Sequence, residues 1–113
     1  MKYLCKINTE EMGLLEFLGF GNKSNSIQEF KDKGAIVIDV RSQGEFAGGH
    51  IKGAKNIPLN DIGIKINDIK KLNKPVIACC ASGMRSSQAT SILKKNGVDA
   101  INGGGWKSLQ NKL

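Results

Sequence analysis

Pro75-Val76-Ile77-Ala78-Cys79-Cys80-Ala81-Ser82-Gly83-Met84-Arg85-Ser86 moves within twelve residues from an apolar run, through small residues, to a polar stretch with helical character. Pro75 to Cys79 reads as a buried strand, Cys80 to Met84 as a loop, and Ser86 to Asn96 as a helix that Gly97 ends. A strand that turns tightly into a helix is half of a parallel crossover unit. The same alternation recurs on either side. Upstream, Ser24 or Ser26 can cap a helix running to about Lys33, Gly34 closes it, and Ala35 to Val40 forms a second apolar strand. Downstream, Val98 to Ile101 reads as a further strand, and Trp106 to Leu113 as a short final helix after Gly103-Gly104-Gly105.

The connecting segment is punctuated in the same way. Ser42 stands three residues before Glu45, the spacing of a capping box, and the helix it starts must end at Gly48-Gly49. His50 to Pro58 carries turn residues around a short extended piece, and Asn60 caps a helix over Asp61 to Leu72 with Ile62, Ile66 and Ile69 on one face. Strands separated by helices imply an α/β domain, a mostly parallel central sheet with helices on both faces. At 113 residues the chain has room for one such domain. Residues 1–24 form an extension whose Glu10 to Leu18 segment reads as a short amphipathic helix packed on the domain formed by 25–113.

Composition narrows the function classes. The apolar stretch near the start is interrupted by Glu10, Glu11 and Glu16, unlike a secretory segment, and no apolar run is long enough to span a bilayer. Cys5, Cys79 and Cys80 are odd in number and spaced for neither a disulfide framework nor a zinc site, so a reduced cytoplasmic setting with available thiols is expected. The net charge of +7 would attract anions, but the lysines are spread thinly with no aromatic interleaving, and no nucleic acid partner is expected. Only two of the 17 basic residues are arginines: Arg41 follows the apolar run Ala35 to Val40, and Arg85 closes a Gly-containing loop after a second apolar run. Planar, multi-donor geometry is what arginine offers there over lysine.

In open α/β sheets ligands bind beyond the carboxyl ends of the strands, and Cys80 stands at such an end. The loop after it, Ala81, Ser82, Gly83 and Met84 leading to Arg85 and Ser86, supplies small residues whose N–H groups can converge on an anion. A helix N-terminus at that place stabilises a thiolate. A nucleophilic sulfur in an anion cradle follows, with no metal, no cofactor and no histidine base required. The tandem cysteines leave a second reading open. Four residues separate Cys80 from Arg85, a loop sized for sulfur, whereas five separate Cys79 from Arg85, the spacing of cysteine phosphatases and arsenate reductases. The glycine lies three residues after Cys80, and no acidic proton donor is identifiable, so the first spacing is the stronger. A non-catalytic redox or interaction domain is the reading from another class.

The pattern of Cys80, Gly83, Arg85 and Ser86 resembles the active loop of rhodanese-like sulfurtransferase domains. So does the upstream run from Val37-Ile38-Asp39-Val40-Arg41 through Glu45-Phe46 to Gly49-His50-Ile51-Lys52-Gly53-Ala54-Lys55-Asn56-Ile57-Pro58, and so does Gly103-Gly104-Gly105-Trp106. The resemblance covers about residues 25–113. It implies that Cys80 carries sulfane sulfur as a persulfide from a small anionic or persulfide donor to a cyanide or thiol acceptor, and that a protein could serve as donor or acceptor. Asp39 and Arg41 would, by similarity, tie the first strand's end to the loop, while Glu45 and His50 would support the connecting segment. Cys79 is read as the last strand residue and a small buried hydrophobe, and Ser82 as a loop former.

Overall fold

The computed structural model describes residues 23–113. The Glu10–Leu18 segment and Cys5 therefore lie outside the described residues. Helix α1 (Lys23–Asp32) leads to strand β1 (Ile36–Asp39), followed by the short helix α2 (Gln43–Ala47) and the two-residue strand β2 (Lys55–Asn56). A 3-10 turn at Leu59–Asp61 precedes α3 (Ile66–Lys71), then β3 (Val76–Cys80), α4 (Met84–Lys95), β4 (Ala100–Gly105) and α5 (Trp106–Gln110). The four strands form one parallel sheet in the order β2-β1-β3-β4, so β3 is central.

Two clusters of apolar side chains hold the layers together. On one face Ile38, Val40, Val76, Cys80 and Ala100 pack under Ile62, Ile66 and Ile69 and under Ala89 and Leu93 of α4. On the other, Ile77 and Cys79 meet Ile27 and Phe30 of α1, Ile51, and Leu109 of α5. The strand period of two makes this division, because successive side chains leave β3 on opposite faces. All five residues of β3 are buried, as expected of a central parallel strand covered twice.

The helix ends follow the glycine signals. At α1, Gly34 N–H donates to the Lys31 carbonyl and Ala35 N–H to the Phe30 carbonyl; at α4, Gly97 and Val98 repeat the pattern on Lys94 and Leu93. Each is a Schellman closure that turns the chain straight into the next strand. Ser42 and Glu45 form the expected capping box, with Ser42 Oγ accepting from the Glu45 N–H and the Glu45 carboxylate accepting from the Ser42 N–H.

Four expectations are corrected. Ser24 and Ser26 lie within α1, which begins at Lys23 and so before either serine. The helix expected over Asp61 to Leu72 is two pieces, and Asn60 sits inside the 3-10 turn without capping anything. Gly63 weakens helix propagation between them, yet Ile62, Ile66 and Ile69 still reach the core, since burial of three isoleucines outweighs a break in backbone regularity. Strand β3 runs one residue further than expected, so Cys80 and not Cys79 is its last residue, and α4 starts at Met84. Strand β4 takes in all three glycines, and a bulge is located there: Ala78 pairs with Asn102 but Cys79 pairs with Gly104. Gly103 is the extra residue. A Cβ on it would come within 2.8 Å of both the Ile77 and Leu109 side chains, so only glycine lets β4 pass this close.

Candidate active site

Cys80 ends the central strand on the α4 face, and its side chain is buried. Several hydrogen-bonding groups converge on its sulfur. Gly83 N–H donates to Sγ at 2.9 Å, Ser86 N–H lies at 3.5 Å, and Ser86 Oγ at 3.4 Å. The chain can fold back this sharply because Gly83, the residue before α4, has φ +104°, a conformation that side-chain-bearing residues rarely adopt. Its N–H and those of the first turn of α4 are the free donors of a helix start, directed at the thiol. Burial alone would push the Cys80 thiol up, but hydrogen bonds from the Ser86 hydroxyl and from the Ser86, Gly83 and Ser82 N–H groups favour the thiolate, and the net displacement is downward.

Cys79 behaves in the opposite way. It packs against the α1 and α5 face with no exposed surface. Burial first, and then the nearby Asp39 carboxylate, push its thiol up to about 12.

The loop residues Ala81, Ser82 and Met84 line the exposed rim above Cys80, and Ser86 closes the floor. Met84 is 75% exposed, an apolar side chain left at the mouth. Arg85 does not turn into the loop alone. Its two terminal nitrogens grip both oxygens of Glu45 at 2.8 and 3.0 Å, which joins α2 to the start of α4. The Arg85 guanidinium, then the Ser42 N–H, bring the Glu45 carboxyl down to about 2. The same contact raises Arg85.

Asp39 and Arg41 form a second, buried pair. Arg41 Nε and a terminal nitrogen donate to both Asp39 oxygens, at 2.7 Å in the shortest contact, and that terminal nitrogen also reaches the Gly49 carbonyl at 2.7 Å. The guanidinium stacks on Trp106, 4.7 Å from the ring centroid. The pair was expected to tie β1 to the loop after Cys80; its partners are instead the Gly49 turn and Trp106. The reason is direction: Arg41 leaves β1 toward the α5 side, whereas the loop rises on the α4 side. His50 stacks on Phe46 with centroids 3.8 Å apart and bonds the Phe46 carbonyl through Nδ1 at 2.8 Å, so it supports α2 and its exit.

One residue that sequence reasoning passed over completes the loop's anchorage. Asn102 accepts from the Ser86 hydroxyl at 2.6 Å and from Gly104 N–H at 2.9 Å, and donates to the Gly83 carbonyl at 3.1 Å. As register partner of Ala78 it shares the sheet face of Cys80. Its signal was an amide directly after the apolar Ala100-Ile101 pair and before three glycines, which reads more readily as the start of a turn.

Residues 24–112 match the sequence profile of the rhodanese-like domain. The chain belongs to this family. It is 35% identical over 74 residues to the thiosulfate sulfurtransferase GlpE of Pseudomonas fluorescens, covering 66% of this chain and 67% of that one. An uncharacterized Bacillus subtilis protein is 43% identical over 81 residues, 70% of this chain and 64% of the relative's length. The chain thus spans just under two thirds of that relative. Among solved structures, a Staphylococcus saprophyticus protein superposes with a TM-score of 0.62 at 35% identity, over 74% of this chain and 88% of its own. The human single-domain sulfurtransferase gives 0.58 at 25% identity, over 79% and 93%. Among the described residues no helix is long and apolar enough to cross a membrane.

Proposed function

We propose that this protein is a sulfurtransferase in which Cys80 carries sulfane sulfur as a persulfide. The observation that carries the reading is the aim of the Gly83 and Ser86 N–H groups at Cys80 Sγ, at the end of the central strand. The Cys80 thiolate attacks the sulfane sulfur of a donor. A new S–S bond forms, the donor's own bond to that sulfur breaks, and the electron pair leaves on the donor. A nucleophilic acceptor, cyanide or a thiol, then attacks the outer sulfur and returns the electron pair to Sγ. No external oxidant or reductant enters, and the two half-reactions give ping-pong kinetics. The outer sulfur carries the negative charge of the persulfide, and the donors above Cys80 are positioned for charge-assisted bonds to it.

The donor we favour is a thiol persulfide over thiosulfate. Arg85, the one arginine on the active loop, already has its charge and both terminal nitrogens engaged by Glu45, so little of it is left for a small dianion. The exposed Met84 offers apolar contact to a larger carrier. The phosphatase spacing would need Cys79 as nucleophile, and that thiol points into the opposite core and is held protonated. We further assign the cytoplasm as its compartment, from the free thiols, and residues 25–113 as the working domain.

The test is intact-mass measurement after exposure to a thiol persulfide and, separately, to thiosulfate. One sulfur should be gained at Cys80 and released by cyanide as thiocyanate, with the higher kcat/KM for the persulfide. A gain at Cys79, or no gain from either donor, would overturn the assignment, and a higher kcat/KM with thiosulfate would overturn the donor preference.

A further inference from the structure

The amide of Asn102 has only one possible orientation, because its two backbone partners fix it. Gly104 N–H can only donate and the Gly83 carbonyl can only accept, so Oδ1 faces Gly104 and Nδ2 faces Gly83. Ser86 Oγ lies 2.6 Å from that same Oδ1, and at that contact the hydroxyl must be the donor. A serine has one proton to give. With it committed to Asn102, Ser86 Oγ meets Cys80 Sγ at 3.4 Å as an acceptor, which suits a thiol and opposes a thiolate.

We propose that Asn102 is a positioning residue that competes with Cys80 for the Ser86 proton and so sets when the sulfur is charged. While Cys80 is protonated, its S–H donates to Ser86 and Ser86 donates to Asn102. To stabilise the thiolate, Ser86 turns its proton to Sγ, and Asn102 Oδ1 keeps the Gly104 N–H as its remaining donor. Once sulfur is loaded, Sγ is neutral and the charge sits on the outer atom, so the Ser86 proton returns to Asn102. Asn102 thus withholds part of the Ser86 bond that, together with the N–H groups of the loop, draws Cys80 toward the thiolate. The inference rests on Cys80 being the sulfur carrier. Among the described residues the charged groups facing the site are paired, Asp39 with Arg41 and Glu45 with Arg85, and Cys79, pushed up by burial, lies on the other face. None of them is free to perform this switch.

The experiment follows the pH profile of Cys80 alkylation by iodoacetamide, with the site of modification read by mass spectrometry. It compares wild type, Asn102→Leu, Ser86→Ala and the double variant. Asn102→Leu should move the alkylation midpoint down by about half a pH unit, because Ser86 is then free to donate to Sγ. In the Ser86→Ala background the same substitution should not lower it. A residue serving only to brace the loop would give the reverse, since loosening Gly83 weakens its N–H contact and raises the midpoint. An unchanged or higher midpoint in Asn102→Leu, or an equal fall in both backgrounds, overturns the proposal. If Asn102→Leu melts below the assay temperature, Asn102→Ala carries the same comparison. Alkylation needs no sulfur donor, so a wild-type protein that takes up no sulfur defeats the function proposed above while this result stands on its own.

Discussion

Cys79 and Cys80 are neighbours in the chain and occupy opposite environments. Cys80 faces α4, where a helix start supplies N–H groups and lowers its pKa; Cys79 faces α1 and α5, where apolar packing and the Asp39 carboxylate raise its own to about 12. Both have lost their exposure to water. The difference teaches that burial alone does not set thiol chemistry. What sets it is whether hydrogen-bond donors converge on the sulfur once water has left.

The sharpest way to break this contrast is to remove each thiol in turn. Cys80→Ser should reduce sulfur transfer to background with the fold intact by circular dichroism. Cys79→Ser should keep the active loop and most of the turnover while losing roughly 1–3 kcal/mol of stability, the penalty for a buried hydroxyl without a partner. Equal loss of activity from both would mean that the faces are not chemically separate.

A second test uses alkali. Cys79 has its folded-state pKa raised from 9.0 to about 12, so the fold favours its protonated form. That contribution is fully present below pH 9 or so and is lost as pH rises toward 12, at most about 4 kcal/mol by linkage over three units. Cys80 has its pKa lowered, so its contribution has the opposite sign and is gained as pH rises. Chemical denaturation of wild type and Cys79→Ala across pH 8 to 11 should show the variant losing less stability with pH. Parallel curves would show that Cys79 is not held protonated by the fold.

The smallest effect concerns the rim. Glu45→Gln leaves Arg85 with an uncompensated charge, and kcat/KM for thiosulfate should rise several-fold, a modest gain because water screens this exposed setting. Because the Glu45 carboxyl titrates near 2, the wild-type pair stays intact above that range, and the rate profile between pH 5 and 9 should contain no step from it. A fall in thiosulfate kcat/KM would mean that Glu45 serves to orient Arg85 toward the donor.

The two arginines show how far sequence reading reaches. Their rarity and their position after apolar runs marked Arg41 and Arg85 as special, and both hold bidentate carboxylate pairs, with Asp39 and Glu45. Neither carboxylate partner was named in advance: that of Arg41 lies only two residues away, whereas that of Arg85 lies 40 residues upstream, beyond any local signal. Local signals were read well: the capping box of Ser42 and Glu45, the glycine stops at Gly34 and Gly97, and the apolar strand over Pro75 to Cys79, short of its true end by one residue. The Asp61 to Leu72 helix was misread because the isoleucine spacing satisfies one continuous helix as well as two broken turns packed on the same core.

What the chain determined by itself is the alternation of strands and helices and the clustering of a thiol, small residues and an arginine at one strand end. Hydrophobic period, caps and glycine stops are local properties, and local properties are written in neighbouring residues. Only the tertiary structure decided that β3 extends to Cys80, that Cys79 and Cys80 part to opposite faces, and that Asn102 reaches Ser86 across a bulge at Gly103. A one-residue change in strand register or length exchanges the two faces, and register is set by pairing with β1 and β4, residues distant in sequence.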